Sequence, residues 1–314
     1  MKIGLICGGH ADEHEVSRNS ADNVNSTLKD QDVSTLVINK NLKQWHIGEQ
    51  TVTASQALHL LQKEVDVALL VLHGSYGEDG TIQGALETVG VPYTGSGVIA
   101  SALAMDKFSA NLITNAAGLE MPRTIAVHRR HDASQLNLQF PVIVKPRYGG
   151  STVGVSICDN LKQLQGAVND SDYSELVIQQ LVVGREFTCG VVQTGNESYE
   201  LLPPSEVIHD GLFDYDAKYS GDSSAKEITP ADVTDDLRQR IQSASLTAHQ
   251  SLGCKGITRS DFMLSELDNK LYYIETNTCP GMTKRSFIPA ELQAAGLDMG
   301  EIMLNQCQLA IEAN

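Results

Sequence analysis

Along the first ninety-five or so residues the apolar positions change period several times. Lys2 to Cys7 is a short apolar run, Glu13 to Leu28 reads as a helix, Val33 to Asn39 alternates, and Val65 to Leu72 is apolar again. This βαβ pattern predicts an α/β unit with an open parallel sheet, whose ligands sit beyond the carboxyl ends of the strands. Gly8-Gly9 and His73-Gly74 fall at those ends, so both loops are expected to face one cleft. A second unit begins near Gly97 with one helix over Ile99 to Ala117. The strand Phe140 to Lys145 and the turn Tyr148-Gly149-Gly150-Ser151 follow, and together they predict a small α+β lid. From about Glu175 strands mix with helices at Asp232 to Leu252 and Leu297 to Ile311, a third, α+β unit. The expected division is therefore 1–96, 97–178 and 179–314. The polar stretch Asp210 to Thr229 is long for a plain connection and is a candidate mobile active-site loop.

Composition narrows the partners. The 314 residues carry 39 acidic against 23 basic side chains, a net charge of -16, which repels nucleic acid and anionic membrane surfaces. An anionic ligand must then meet a local basic cluster. Six cysteines lie far apart without a Cys-x-x-Cys pair, which points to reduced thiols in the cytoplasm and not to a zinc site or a disulfide framework. The apolar start is too short for a signal peptide or a membrane span, so a cytoplasmic protein is expected.

Arg259-Ser260-Asp261-Phe262-Met263-Leu264 and Leu271-Tyr272-Tyr273-Ile274-Glu275-Thr276-Asn277 flank an Asp268-Asn269 turn, the pattern of a hairpin. Residues two apart on a strand share a face, which groups Arg259 with Asp261 and Glu275 with Asn277. Counting outward from the turn leaves Asp261 and Glu275 within about a residue of being opposite. Two carboxylates and an amide oxygen suit magnesium, which fills its remaining positions with water and phosphate. The ordinary alternative is a solvated strand face. Cys279-Pro280-Gly281-Met282-Thr283 follows directly, a turn able to aim backbone N–H groups at an anion.

Lys145 ends a strand just before Gly149-Gly150-Ser151, a turn whose N–H groups can wrap phosphate, though no Gly-Lys-Ser or Gly-Lys-Thr makes it a Walker motif. Lys107, taken alone on its helix, reads as a surface charge. Lys107, Lys145 and Lys218 gain meaning only if they converge on one ligand. Glu15 lies at a helix N-terminus, where the dipole alone accounts for a carboxylate, and at a strand-to-helix turn a carboxylate can also hold a substrate ammonium group. A lone histidine such as His73 is more often structural than catalytic, although its loop position favours function.

Taken together these segments resemble the D-alanine:D-alanine ligase family of the ATP-grasp superfamily. The matching pieces are Gly8-Gly9 with Glu13 to Ser17, His73-Gly74 with Gly77 to Gly80, Tyr93 to Gly97, Met105-Asp106-Lys107, Val144-Lys145-Pro146 with Gly150-Ser151, Tyr215 to Tyr219, Arg259 with Asp261, and Glu275 through Ser286. They run in family order over nearly the whole chain. The resemblance implies an ATP-grasp fold behind a Rossmann-like N-terminal domain. It also implies ATP-dependent joining of two D-alanines through a D-alanyl phosphate, for peptidoglycan precursors, by a homodimer.

The roles it implies are specific. Lys107 and Lys145 bind ATP phosphates, Gln179, Gln180, Leu181 and Val182 the adenine edge, and Glu186 the ribose. Asp261, Glu275 and Asn277 hold two magnesium ions, with manganese as a substitute. Glu15 takes the ammonium group of the first D-alanine, in a network with Ser151 and Tyr219, and His73 lies near its carboxylate. Arg259 and the Gly281 backbone stabilise the oxyanion, Ser286 helps hold the second carboxylate, and Lys218 reaches the transferring phosphate. Gln179 departs from the acidic residue usual there, and Lys284-Arg285 adds positive charge near the second substrate. Rival readings are a ligase taking D-lactate or D-serine second, against which Tyr219 argues, and a catalytically silent ATP-binding protein.

Overall fold

The computed structural model describes residues 1–10, 13–28, 31–149, 154–208 and 226–313. Its N-terminal sheet has the order β4-β3-β2-β1-β5, with β1 (Lys2–Gly8) parallel to both β2 (Asp32–Ile38) and β5 (Val67–Leu70). These three strands are the expected parallel core, with α1 (His14–Thr27) crossing between the first two. The sheet is extended by an antiparallel hairpin, β3 (Gln44–Ile47) and β4 (Gln50–Thr53), which the pattern of residues 40–53 had not suggested. Its anchor is Trp45, fully buried against Leu36, Ile38 and Leu61 in one apolar cluster. Gly48, at φ 57°, makes the turn, a conformation that glycine adopts without steric cost. The helices α2 (Ala54–Glu64) and α3 (Thr81–Val89) complete this unit.

The expected single helix over Ile99 to Ala117 is two, α4 (Val98–Met105) and α5 (Lys107–Ala116). Asp106 breaks it: in extended backbone it caps α5, accepting from the N–H groups of Phe108 and Ser109. Arg147 grips the same carboxylate, Nη2 to Oδ2 at 2.6 Å, and a partner 41 residues away leaves no trace in local periodicity. Ala100, Ala104 and Ala110 of these helices pack in one core with Phe187, Phe262 and Tyr273 of the C-terminal sheet.

The lid is a four-stranded antiparallel sheet, β6-β9-β7-β8, made of β6 (Thr124–His128), β7 (Val142–Pro146), β8 (Ser156–Cys158) and β9 (Glu175–Gln180). Alternation sorts its faces. Val142, Val144, Leu176 and Ile178 pack with Leu164 and Val168 of α6 (Leu161–Asp170), which leaves Ile143, Lys145, Val177 and Gln179 on the other face.

The C-terminal sheet runs β13-β12-β10-β14-β15, with β11 (Tyr199–Leu201) also on β10 (Gly184–Gln193). Its other strands are β12 (Ser205–Ile208), β13 (Lys226–Ile228), β14 (Ile257–Ser265) and β15 (Leu271–Asn277). Of the candidate loop 210–229, residues 226–228 are thus strand, and 210–225 lie outside the described residues. Helix α7 (Asp235–Ser251) covers one face, and α8 (Phe287–Ala294) and α9 (Met299–Glu312) follow. Ile288, Leu292, Ile302 and Met303 of the last two share a core with Ile3, Leu5 and Val67, which joins the C-terminal unit to the N-terminal sheet. All six cysteines are free thiols. Among the described residues no helix is long and apolar enough to cross a membrane.

Candidate active site

The β14–β15 hairpin positions the charged groups. Arg259 pairs with Asn277 and Asp261 with Glu275, so the four expected residues occupy one patch. The register then shifts: Phe262 pairs with Tyr273, and Ile274 is the extra residue of a bulge. That residue reverses the alternation. Without it Tyr273 and Glu275 would share a face; with it Tyr273 is buried beside Phe262, rings edge-to-face at 6.1 Å, while Glu275 turns to the cleft. The bulge accounts for the one-residue offset between a count from the turn and the observed register.

Each carboxylate has a cation. Arg259 holds Asp261 in a fork, Nε to Oδ1 and Nη2 to Oδ2 both at 3.0 Å. Thr188 Oγ1 donates to Oδ1 at 2.5 Å and Asn277 Nδ2 to Oδ2 at 3.3 Å. Lys107 Nζ lies 2.7 Å from Glu275 Oε2 and 2.8 Å from the Gly149 carbonyl. Burial alone would raise the Glu275 pKa, but Lys107, Lys145 and Arg259 outweigh it and hold the carboxyl below its usual range. Arg259, conversely, is raised: the charges of Asp261 and Glu275 exceed the cost of burying the guanidinium. Lys107 is buried, not the surface charge that its helix suggested, and Lys145 comes to Glu275 from the lid. Lys218 lies outside the described residues.

The donor chemistry fits a hard divalent cation. Two carboxylates, each paired with a cation, stand on paired strands, and because the Asn277 amide nitrogen is engaged by Asp261, its oxygen is left as a metal-ligand atom. Among the described residues no group of three or more His, Cys, Asp and Glu side chains is placed to hold a metal, so this mixed carboxylate–amide set is the candidate.

The opposite wall comes from the end of β5. His73 is buried, with Nδ1 2.8 Å from the Cys279 carbonyl and Nε2 2.9 Å from Ser20 Oγ. The carbonyl can only accept, so Nδ1 carries the proton and Nε2 accepts from Ser20. Burial lowers the His73 pKa to about 4, and the ring is neutral. Glu78, not given a role from the sequence, accepts from the Gly74 N–H at 2.8 Å and the Cys279 N–H at 2.9 Å. Burial raises it to about 7. Ser20 Oγ also accepts from the Met282 N–H at 3.1 Å. Residues 279–282 are therefore tied to the N-terminal unit on both sides of Gly281, whose own N–H has no partner among the described residues. A Cβ on Gly281 would stand 2.8 Å from Ser286 Oγ, so glycine lets that serine approach. Ser286 stands at the N-terminus of α8 without a side-chain cap bond, and its hydroxyl instead accepts from the Thr283 N–H at 3.0 Å. Cys279 is no nucleophile: burial pushes its thiol up, far from a thiolate.

The remaining expected residues divide. On the lid, Gln179 is buried, and its Nε2 donates to Thr124 Oγ1 at 2.8 Å while Thr124 donates to the Pro122 carbonyl at 2.8 Å. The amide oxygen of Gln179 is then left as its acceptor. Gln180 and Leu181 are fixed by their N–H bonds to the Arg123 and Pro141 carbonyls, Val182 follows, and Glu186 lies near the start of β10 opposite Met263. Glu186, Thr188 and Gly190 alternate on the face that carries Arg259 and Asp261, and that spacing is the signal by which Thr188 could have been found. Glu15 stands exposed in the first turn of α1, 3.6 Å from Arg18. Its expected partners Ser151 and Tyr219 lie outside the described residues.

Two family models match the chain: "D-ala D-ala ligase C-terminus" over residues 113–307 and "D-ala D-ala ligase N-terminus" over residues 52–96. A D-alanine–D-alanine ligase of Desulfotalea psychrophila is 37% identical, over 99% of this chain and 95% of its own length. This chain belongs to the D-alanine–D-alanine ligase family. Another member, from Syntrophobacter fumaroxidans, is also 37% identical, over 99% of this chain and 98% of its own. Among solved structures, the VanG D-Ala:D-Ser ligase from Enterococcus faecalis superposes with a TM-score of 0.87 at 27% identity, over 98% of this chain and 99% of that one. The family enzyme of Bacillus anthracis gives 0.81 at 32% identity, over 100% and 98%. The fold is the family's ATP-grasp fold with a parallel-sheet N-terminal domain.

Proposed function

We propose that this enzyme joins two D-alanines at the expense of ATP, giving D-alanyl-D-alanine, ADP and phosphate for peptidoglycan precursors. Its family membership supports the activity. The observation that carries the assignment to this cleft is the paired arrangement of Lys107 on Glu275 and Arg259 on Asp261 across one hairpin.

A carboxylate is a poor acyl donor, so its oxygen first attacks the γ-phosphorus and ADP departs, leaving D-alanyl phosphate. Lys107 and Lys145 neutralise the phosphates and hold them in line. Asp261, Glu275 and Asn277 would hold magnesium, as two ions with manganese as a substitute. Bound there, the metal supplies charge neutralisation and orientation at the phosphates. Gln179, Gln180, Leu181 and Val182 border the adenine, and Glu186 takes the ribose. Glu15 receives the donor's ammonium group, with Ser151 and Tyr219 as its network, and His73 lies near the donor's carboxylate. The second D-alanine attacks through its neutral amine, and the carbonyl oxygen of the tetrahedral species meets the Arg259 guanidinium and the Gly281 N–H. Collapse expels phosphate, and the new peptide nitrogen loses its proton. Ser286 holds the acceptor's carboxylate, and Lys218 reaches the transferring phosphate. We place the enzyme, as a homodimer, in the cytoplasm, where both substrates and reduced thiols belong.

The close likeness to a D-Ala:D-Ser ligase favours a second reading at one point only, the acceptor. Phosphate release and product identity, with D-alanine alone and with D-serine or D-lactate added, test both readings. D-alanyl-D-alanine as the main product is expected. A mixed product predominating at equal concentrations would transfer the assignment to the other ligase type, and no phosphate release with any acceptor would refute both.

A further inference from the structure

Glu291 is a carboxyl in a core position. Helix α8 buries Ile288, Glu291 and Leu292, and Glu291 is 0% exposed, between two apolar neighbours on the inward face. Its Oε2 accepts from the Gly190 N–H at 2.8 Å, and its Oε1 lies 2.9 Å from Ser205 Oγ. Ser205 Oγ in turn lies 2.7 Å from Thr229 Oγ1. One carboxyl thus joins α8 to β10, to β12 and to the residue just after β13. A buried carboxyl is costly, yet it satisfies the Gly190 N–H and the Ser205 hydroxyl that an apolar side chain would leave unpaired, and its place in the core asks for an account beyond packing.

The surroundings supply one. Gly190 is the register partner of Arg259, and Thr188 that of both Asp261 and Ser205. A Cβ on Gly190 would stand 2.6 Å from Ile288 Cδ1 and 2.8 Å from Glu291 Oε2, so the missing side chain is what lets α8 lie on the strand. At the other end of the helix, Phe287 packs its ring under the Arg259 guanidinium at 5.6 Å, and Ser286 sits against Gly281. The position of α8 along β10 therefore sets where Phe287 and Ser286 stand relative to Arg259. We propose that Glu291 is a positioning residue for the acceptor half of the reaction, pinning α8 to β10 and β12 so that Ser286 and Arg259 keep the separation that the second substrate spans. Burial pushes the Glu291 pKa up to about 8, against the hydrogen bonds of Ser205 and Gly190 and the charge of Arg259. The Gly190 N–H donates to one carboxyl oxygen and Ser205 Oγ to the other, so both oxygens accept. Glutamine keeps the length and both contacts: its oxygen accepts from Gly190 and its amide donates to Ser205 Oγ, whose own proton can turn to Thr229 Oγ1.

The inference rests on the ligase activity proposed above. Steady-state rates of wild type, Glu291→Gln and Glu291→Ala are measured at about pH 7 against ATP and D-alanine, and the D-alanine curve is fitted with separate donor and acceptor constants. Glu291→Ala is expected to raise the acceptor half-saturation about tenfold with that for ATP within about twofold, and Glu291→Gln to stay within about twofold of wild type. A residue that only held the core together would lower the melting temperature and the active fraction and leave that ratio unmoved. Unchanged acceptor half-saturation, an equal rise for ATP, or Glu291→Gln failing as Glu291→Ala does would overturn the proposal. If Glu291→Ala does not fold, Ser205→Ala, which removes one contact, is expected to raise the acceptor constant about threefold, and no rise overturns it. An inactive wild type refutes the ligase reading itself; an active wild type with unshifted variants refutes this inference alone.

Discussion

His73 and Glu78, on the N-terminal wall of the cleft, bond to backbone groups and a serine, and burial draws both toward their neutral forms. On the hairpin wall Arg259, Asp261, Glu275 and Lys107 are also largely buried, yet the cations there hold the Glu275 carboxyl below its usual range. The difference is one of partner, not depth. A buried group offered dipoles gives up its charge, and one offered an opposite charge keeps it. The first wall can therefore orient a backbone, as His73 and Glu78 do for residues 279–282, and the second can receive a metal cation and the phosphates that come with it.

The comparison breaks most sharply at the charged wall. Glu275→Ala removes the carboxylate that Lys107 and Lys145 both address, and turnover is expected to fall at least about a thousandfold with the circular-dichroism spectrum unchanged. Phosphate release within a few-fold of wild type would remove Glu275 from the site. Lys107→Met keeps the length and deletes the charge; kcat/KM for ATP should drop about a hundredfold, with D-alanine half-saturation moving much less. Gly281→Ala, whose Cβ would meet Ser286 at 2.8 Å, should slow turnover about tenfold by moving the oxyanion donor or the serine.

The neutral wall gives smaller effects, read as stability against pH. The His73 pKa falls from 6.5 to about 4 on folding, so its contribution is complete above 6.5 and is lost as pH falls toward 4. For Glu78, raised from 4.5 to about 7, the contribution is complete below 4.5 and is lost as pH rises through 7. The two slopes oppose each other between about pH 4.5 and 6.5 and largely cancel in the wild type. Urea midpoints should therefore show Glu78→Gln losing stability as pH falls through that window and His73→Gln gaining it. Parallel slopes in the two variants would mean that the wall is not neutral as described.

Much of this was readable in the residues and some was not, for identifiable reasons. The hairpin and its four polar residues follow from alternation around Asp268-Asn269, and the parallel core from the apolar runs at the chain start. The bulge at Ile274 did not follow, because burial of Tyr273 against Phe262, a tertiary contact, decides it. The burial of Lys107 was hidden for the same kind of reason: its helix begins where Asp106 is held by Arg147. Glu78 stood in a quoted motif without a role, since nothing in Gly77-Glu78-Asp79-Gly80 says that the Cys279 N–H lies above it. Trp45 anchors a hairpin of short strands that alternation alone does not distinguish from loop.

Whether the charged wall receives a metal is decided most directly by binding without turnover. Manganese affinity in the presence of ADP, followed by electron paramagnetic resonance, should weaken at least about tenfold in Glu275→Ala relative to wild type. Equal affinity in the two proteins would contradict the placement of the cation on Asp261, Glu275 and Asn277.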